Sequence, residues 1–329
     1  MFEHILVPLD GSSLAEQALP VAAYIARKAK STISLFESVP PILEPGPYFQ
    51  QDVGLFSDNL YPEMLEEAKA YLQRIAHASP LTGITVFTQT SPEAPVQAIL
   101  GYIQLQRTDL VILCSHGFTG VKRWALGSVA QKVARHSSVP TLIVREKSFE
   151  AVLAQQEKAR PMRVLVPLDG SQFAEAALLP AAHLVSLING PKPAAPGELH
   201  LVRVVRPPSP EEEVKYRTYN FDLRSYQKDE AEYYLRDIKE KFAGTLASLN
   251  LQIVCSIVEN GDTADALLHV AETGNTPDAE TGKSYDLIAI ATHGRGVLQR
   301  WVMGSVAERV IENTKQPILV VRPPEPVTV

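Results

Sequence analysis

At 329 residues, 45% of them hydrophobic, the chain is long enough for two domains of ordinary size, each with its own core. A formal charge of −6 argues against broad binding to nucleic acid or to an anionic membrane surface, because both need basic patches that neutralise phosphates. No apolar run reaches membrane-spanning length, and the opening MFEHILVPLD enters a strand-like run at once, without the basic and apolar regions of a leader, so the expected compartment is the cytoplasm.

The chain reads as a duplication. LVPLDGS stands at 6–12 and again at 165–171, and SHGFTGVKRWALGSVAQKV at 115–133 returns as THGRGVLQRWVMGSVAERV at 292–310. The offset is 159 at the first motif (165 − 6) and 177 at the second (292 − 115), so the later half carries 18 more residues between them. Pro/Gly-rich stretches at 189–198 and 274–284 are the natural places for them.

In chain order, EHILVPL is a buried strand, and Ser13 to Lys30 places Leu14, Ala18, Val21, Ala22 and Ile25 at helical spacing. TISLFESV at 32–39 is the second strand, followed by a helix near 59–78, a strand at 83–88, a helix near 92–106 and the strand DLVILCS. After the Gly-rich loop come a helix at about 128–137 and a last strand, TLIVRE. The second half repeats the plan with RVLVPL, ELHLVRVV, LQIVCSIV, DLIAIAT and ILVVR. Its long helix near 224–249 sets Leu235, Ile238, Phe242, Leu246 and Leu249 on one stripe.

Strands alternating with helices imply an α/β fold: two domains in tandem, each a five-stranded, mostly parallel sheet with helices on both faces. The expected boundaries are 1–146 for the first domain, 147–161 for a charged linker ending in Pro, 162–323 for the second domain and 324–329 for a tail. Cys114 and Cys255 fall on strands of different halves, which suits buried thiols better than a disulfide or a metal site.

Each half resembles a universal stress protein domain, and the whole is similar to a tandem member of that family. The match rests on the strand ending in VPLDGS, on the order of elements, and on the loop in which Gly117 precedes Gly127-Ser128 and Gly294 precedes Gly304-Ser305. The resemblance implies two tandem Rossmann-like domains of the adenine nucleotide alpha hydrolase-like type and an ATP-binding stress-response or signalling protein, with Mg²⁺ accompanying the nucleotide and at most slow hydrolysis. It implies that Asp10 and Asp169 meet the ribose, that the backbones of Gly117 and Gly294 approach the phosphates, and that Ser128 and Ser305 donate to them. Gly127 and Gly304 would add exposed amides, and Arg123 and Arg300 positive charge. The adenine edge would meet backbone near Ser38 and Val204.

The family's first loop glycine is Cys114 in one half and Ala291 in the other, and Cys is the bulkier departure, so the second half is expected to bind ATP at least as well as the first. The resemblance also implies that the last strands pair, here between the halves of one chain as a pseudo-dimer, and leaves a further homodimer open.

Structural readings stand beside these. Ser128 with Gln131, and Ser305 with Glu308, each fit a capping box, and Asp10 would cap a turn as readily as bind a ligand. His116 and His293 read as turn residues, since neither a catalytic triad nor a metal-ligand spacing surrounds them. No GxxxxGK[ST] places a lysine for phosphoryl transfer. Trp124 and Trp301 suit packing or a lid, and the tyrosines of 214–227 a cover over the sheet or over a ligand. The alternative to a nucleotide binder is a scaffold with degenerate sites that acts through partner or dimer surfaces.

Overall fold

The computed structural model describes residues 1–41, 54–115, 126–145, 149, 152, 160–190, 195–277, 279–280, 283–294 and 303–324, with 54–60 and 279–280 as backbone alone. The chain divides into two compact units, Met1–Glu146 and Lys147–Val329.

In the first unit, β1 (His4–Leu9), α1 (Ala18–Ala29), β2 (Thr32–Ser38), α2 (Gly54–Ala76), β3 (Val86–Ser91), α3 (Pro95–Leu105), β4 (Leu110–Cys114), α4 (Ser128–His136) and β5 (Thr141–Val144) alternate as expected. The strands lie in the order β3-β2-β1-β4-β5, with every pair parallel. Ile5, Leu6 and Val7 are all fully buried, as a central parallel strand covered on both faces requires. Each such side chain contributes about 1.5–3 kcal/mol by leaving water. Helix α1 turns Val21, Ala22, Ile25 and Ala26 inward and ends at Lys30, whose φ of 58° stops the helix.

The second unit comprises β6 (Arg163–Pro167), α5 (Gln172–Glu175), α6 (Leu178–Asn189), β7 (Gly197–Val205), α7 (Pro210–Arg217), α8 (Leu223–Ser248), β8 (Leu251–Glu259), α9 (Thr263–Thr273), the two-residue strands β9 (Asn275–Thr276) and β10 (Ala279–Glu280), β11 (Leu287–Ala291), α10 (Ser305–Asn313) and β12 (Ile318–Val321). Its main strands run parallel in the order β12-β11-β6-β7-β8. In each unit the first strand lies between the second and the fourth, where the order reverses, so the loops after strands one and four open side by side at the carboxyl ends.

Strand register locates the extra residues of the second half. Pro8 pairs with Phe36 and Pro167 with Val202, so the offset between repeats has grown to 166 (202 − 36) by the second strand. Leu110 pairs with Ile5 and Leu287 with Val164, an offset of 177 (287 − 110) at the fourth. The first step falls in the α6–β7 turn, and most of the second falls before β11, around the β9–β10 hairpin.

Three elements depart from expectation. Strand β3 begins at Val86 rather than 83, because a 3₁₀ turn at Ser79–Leu81 and Gly83, at φ +80°, occupy the preceding stretch. The 206–222 stretch forms its own helix, α7, with a full capping box between Ser209 and Glu212 and Pro210 at the first turn. On α8 the buried stripe is Ala231, Leu235, Ile238 and Leu246, while Phe242 and Leu249 are only half-buried, and Lys241 lies 5.5 Å from the Phe242 ring. Cys114 is buried as expected; Cys255 is only half-buried.

Candidate functional site

The repeated DGS is a built turn. Asp10 Oδ1 accepts the Ser12 amide at 3.1 Å and its hydroxyl at 2.6 Å, and Ser12 Oγ in turn accepts the Ala15 amide. Asp169 does the same with Ser171 at 2.9 and 2.6 Å, and Ser171 Oγ caps α5 by accepting from Ala174. The glycine between sits at φ +78° in one copy and +84° in the other, a conformation that side chains disfavour. The turn therefore commits one carboxylate oxygen of each aspartate to structure and holds the other in a fixed direction.

In the second unit, Asp169 Oδ2 faces the backbone of Gly294 so closely that a β-carbon there would collide with it. Together they open onto a cavity of about 770 Å³ at the carboxyl ends of β6, β7 and β11, a size that suits a small-molecule ligand. Its lining includes Asp169, Val204, Ala291, Gly294, Gly304 and Ser305, six of the seven residues that sequence reasoning assigns to this half, the seventh, Arg300, lying outside the described residues. His293 joins them with Nδ1 2.7 Å from Thr292 Oγ1, and burial, then the charge of Arg322, holds its pKa below the usual histidine range. Among the described residues no group of three or more His, Cys, Asp or Glu side chains is placed to hold a metal ion.

Two expectations need correction. The capping boxes at Ser128 and Ser305 do not form: the caps are Gly127 and Gly304, in extended backbone, and both serines are exposed first residues of their helices. Nor are the amides of Gly127 and Gly304 open to a ligand. Each donates to the carbonyl just past the end of the preceding strand, Gly127 to Ser115 at 2.6 Å and Gly304 to Thr292 at 2.9 Å. These bonds tie each helix start to its strand and spend the glycine amide, and in the second unit the first helical turn, Ser305 to Glu308, lines the cavity.

In the first unit Asp10, Ser38, Cys114, Gly127 and Ser128 stand at the same carboxyl ends. Ser38 Oγ donates to the Glu93 carbonyl at 2.5 Å, and Cys114 is packed at 8% exposure beside Arg145. Burial lowers the Arg145 pKa to about 10. Gly117, His116, Arg123, Trp124, Arg300 and Trp301 lie outside the described residues.

The sequence reading missed two charged residues beside these aspartates. Glu37 pairs in register with Leu9, next to Asp10, and burial together with the charges of Asp10 and Glu67 raises its pKa to about 7. The equivalent place in β7 is Arg203, buried, lining the cavity, with Nη2 3.3 Å from Glu230 Oε2 and its guanidinium 5.5 Å from the Tyr234 ring. The signal that finds this pair is strand register, which fixed spacing between the repeats conceals.

The fold and the paired sites define a tandem protein of two Rossmann-like α/β domains, each organised around the switch point of its sheet. The sequence profile described as the universal stress protein family matches residues 1–145 and 161–322, and the chain belongs to that family. A universal stress protein of Thermus aquaticus is 31% identical over 153 residues, which cover 44% of this chain and 100% of that protein. One of Mycolicibacterium smegmatis is 24% identical over 325 residues, 97% of each chain. Among solved structures, a universal stress protein from Archaeoglobus fulgidus superposes with a TM-score of 0.61 at 20% identity, over 98% of this chain and 99% of that one, a likeness of fold. No helix among the described residues is long and apolar enough to cross a membrane.

Proposed function

We propose that the chain is a cytoplasmic stress-response or signalling protein that binds an adenine nucleotide, ATP foremost, in the second unit's cavity. The observation that carries this reading is the convergence of Asp169, Val204, Ala291, Gly294, Gly304 and Ser305 on one cleft at the strand order's reversal. Asp169 Oδ2 accepts ribose hydroxyls, since its other oxygen belongs to the turn. The Gly294 backbone and the Ser305 hydroxyl at the start of α10 receive the phosphates, where the helix dipole favours anions. Magnesium, when it accompanies ATP, is held chiefly by the phosphates and water.

In the first unit Asp10, Ser38, Gly117, Gly127 and Ser128 form the corresponding site, with Cys114 in place of Ala291. Residues 147–161 serve as the linker between domains 1–146 and 162–323. The apolar last strands, β5 and β12, need covering, and pairing them within the chain would cover both; a homodimer is the further level of assembly.

The direct test is to denature the purified chain and assay released adenine nucleotide, then measure thermal shift with ATP·Mg²⁺ for the native protein and for Asp169→Ala and Gly294→Val. Bound nucleotide, or a shift lost in both variants, supports the reading. Neither nucleotide nor shift would leave the scaffold in its place.

A further inference from the structure

Two sites descended from one duplication should carry like charges at like positions if they take the same ligand. They do not. Register sets Leu9 opposite Glu37 in the first unit, and with Pro167 opposite Val202 it sets the next residue, Arg203, in the same place in the second. Three positions on, the first unit has Pro40 and the second Arg206, which also lines the cavity.

The two environments differ as much as the residues. Glu37 lies among acids: Asp10 on the β1 turn and Glu67 on α2 both act on its charge, and Tyr71 beside them donates to Glu16 Oε1 at 3.1 Å. One of its carboxylate oxygens, Oε2, is buried with no hydrogen bond among the described residues. A polyphosphate arriving there meets the charges of Asp10 and Glu67 and, above pH 7, that of Glu37 as well.

Arg203 is only 6% exposed, held on the Tyr234 ring, and one ionic contact that it makes is to a Glu230 side chain that is 41% exposed. Such a contact yields readily to a stronger anion, because solvent rehydrates the displaced carboxylate and the guanidinium fork suits phosphate oxygens. Among the described residues, the other acids on the cavity wall are Asp169, fixed by its turn, and Glu308 on α10.

We propose that residues 37 and 203 sort the two sites by ligand charge: the second unit takes the phosphate-bearing adenine nucleotide, with Arg203 meeting its phosphate charge, and the first unit, with Glu37 in that place, turns such a ligand away. This rests on the nucleotide reading above and adds to it a stoichiometry and a specificity residue.

The test is calorimetric titration of the full chain with ATP and with uncharged adenosine at low salt and pH 8, with melting curves confirming that each variant is folded. The expected result is one ATP per chain. Arg203→Gln weakens ATP at least ten-fold (about 1.4 kcal/mol) while changing adenosine affinity less than two-fold. Arg203→Lys recovers most of the loss, and Glu37→Gln admits a second, weaker ATP. Two equal ATP sites in the native chain would overturn the sorting, as would an Arg203→Gln variant that keeps its ATP affinity or loses ATP and adenosine alike. A native chain that binds neither ligand would overturn the nucleotide reading itself, and this proposal with it.

Discussion

The Asp169 carboxylate occupies the space into which a side chain on Gly294 would grow: a β-carbon at 294 falls inside the envelope of Asp169 Oδ2. The other loop glycine is under no such constraint, since a β-carbon on Gly304 meets only the Thr292 carbonyl oxygen at 3.6 Å, ordinary contact. Gly294→Ala should therefore displace Asp169 and weaken ATP at least ten-fold, whereas Gly304→Ala should change affinity and melting temperature little. The collision is tested by a double-mutant cycle read in melting temperature: in an Asp169→Ala background, Gly294→Ala should cost nothing further. Equal effects of Gly294→Ala with and without the carboxylate would refute it.

The division of labour between the two oxygens of Asp169 gives a second prediction. Asn keeps an oxygen for the Ser171 amide and hydroxyl but replaces the cavity-facing acceptor with an NH₂ group. Asp169→Asn should hold the melting temperature near native and lose ATP binding, while Asp169→Ala loses both the turn, about 1 kcal/mol or more, and the ligand. Urea denaturation beside ATP titration separates the two. If the Asn variant binds as the native chain does, Asp169 acts only through the turn.

Much of this arrangement is legible in the residues. VPLDGS, twice, announces a strand followed by a turn whose glycine requires positive φ, and alternating apolar segments give the parallel sheet and its carboxyl-end cleft. What escapes depends on tertiary geometry. Ser305 followed by Glu308 satisfies the capping-box pattern, yet the cap shifts one residue earlier because the Gly304 amide is drawn back to the Thr292 carbonyl. The Glu37–Arg203 exchange is hidden because the spacing between first and second strands differs in the two halves, and only the hydrogen-bonded register reveals which residues correspond. Helix α7 was legible in principle, since Ser209-Pro210-Glu211-Glu212 is a capping signature with proline at the first helical position.

Glu37 predicts a pH dependence in the first unit. An unfolded glutamate titrates near 4.5, and Glu37 in the fold at about 7, raised by burial, then by Asp10 and Glu67. The folded state thus binds the proton more tightly, so the contribution is complete below pH 4.5 and is lost as pH rises through 7. Its size is about 2 kcal/mol after allowance for partial exposure. Glu37→Gln should match the native stability at pH 5 and exceed it by about 2 kcal/mol at pH 8. Paired urea denaturation curves at the two pH values check this, and a difference independent of pH would count against it.

His200 predicts the opposite slope in the second unit. On β7 it is 1% exposed, with Nε2 2.9 Å from Ser256 Oγ, Nδ1 hydrogen-bonded to the Tyr285 hydroxyl, and the Arg163 guanidinium 4.6 Å from the Tyr285 ring. Burial, then the Arg163 charge, lowers its pKa from 6.5 to about 4, so the fold holds the neutral ring. The unfolded chain takes up the proton first, hence stability is full above pH 6.5 and falls as pH drops toward 4. The loss is about 2 kcal/mol by pH 5 and about 3 kcal/mol when complete. His200→Gln should remove this acid-side slope and leave that of Glu37 intact. Between pH 8 and pH 5 the two groups then pull their units in opposite directions: protonation of Glu37 firms the first while the demand for protonation at His200 loosens the second. Summed over the chain the two slopes nearly cancel between pH 8 and pH 5, so each single variant should show a steeper stability profile than the native chain or the double variant Glu37→Gln/His200→Gln, and single variants no steeper than the native chain would mean that other groups govern it.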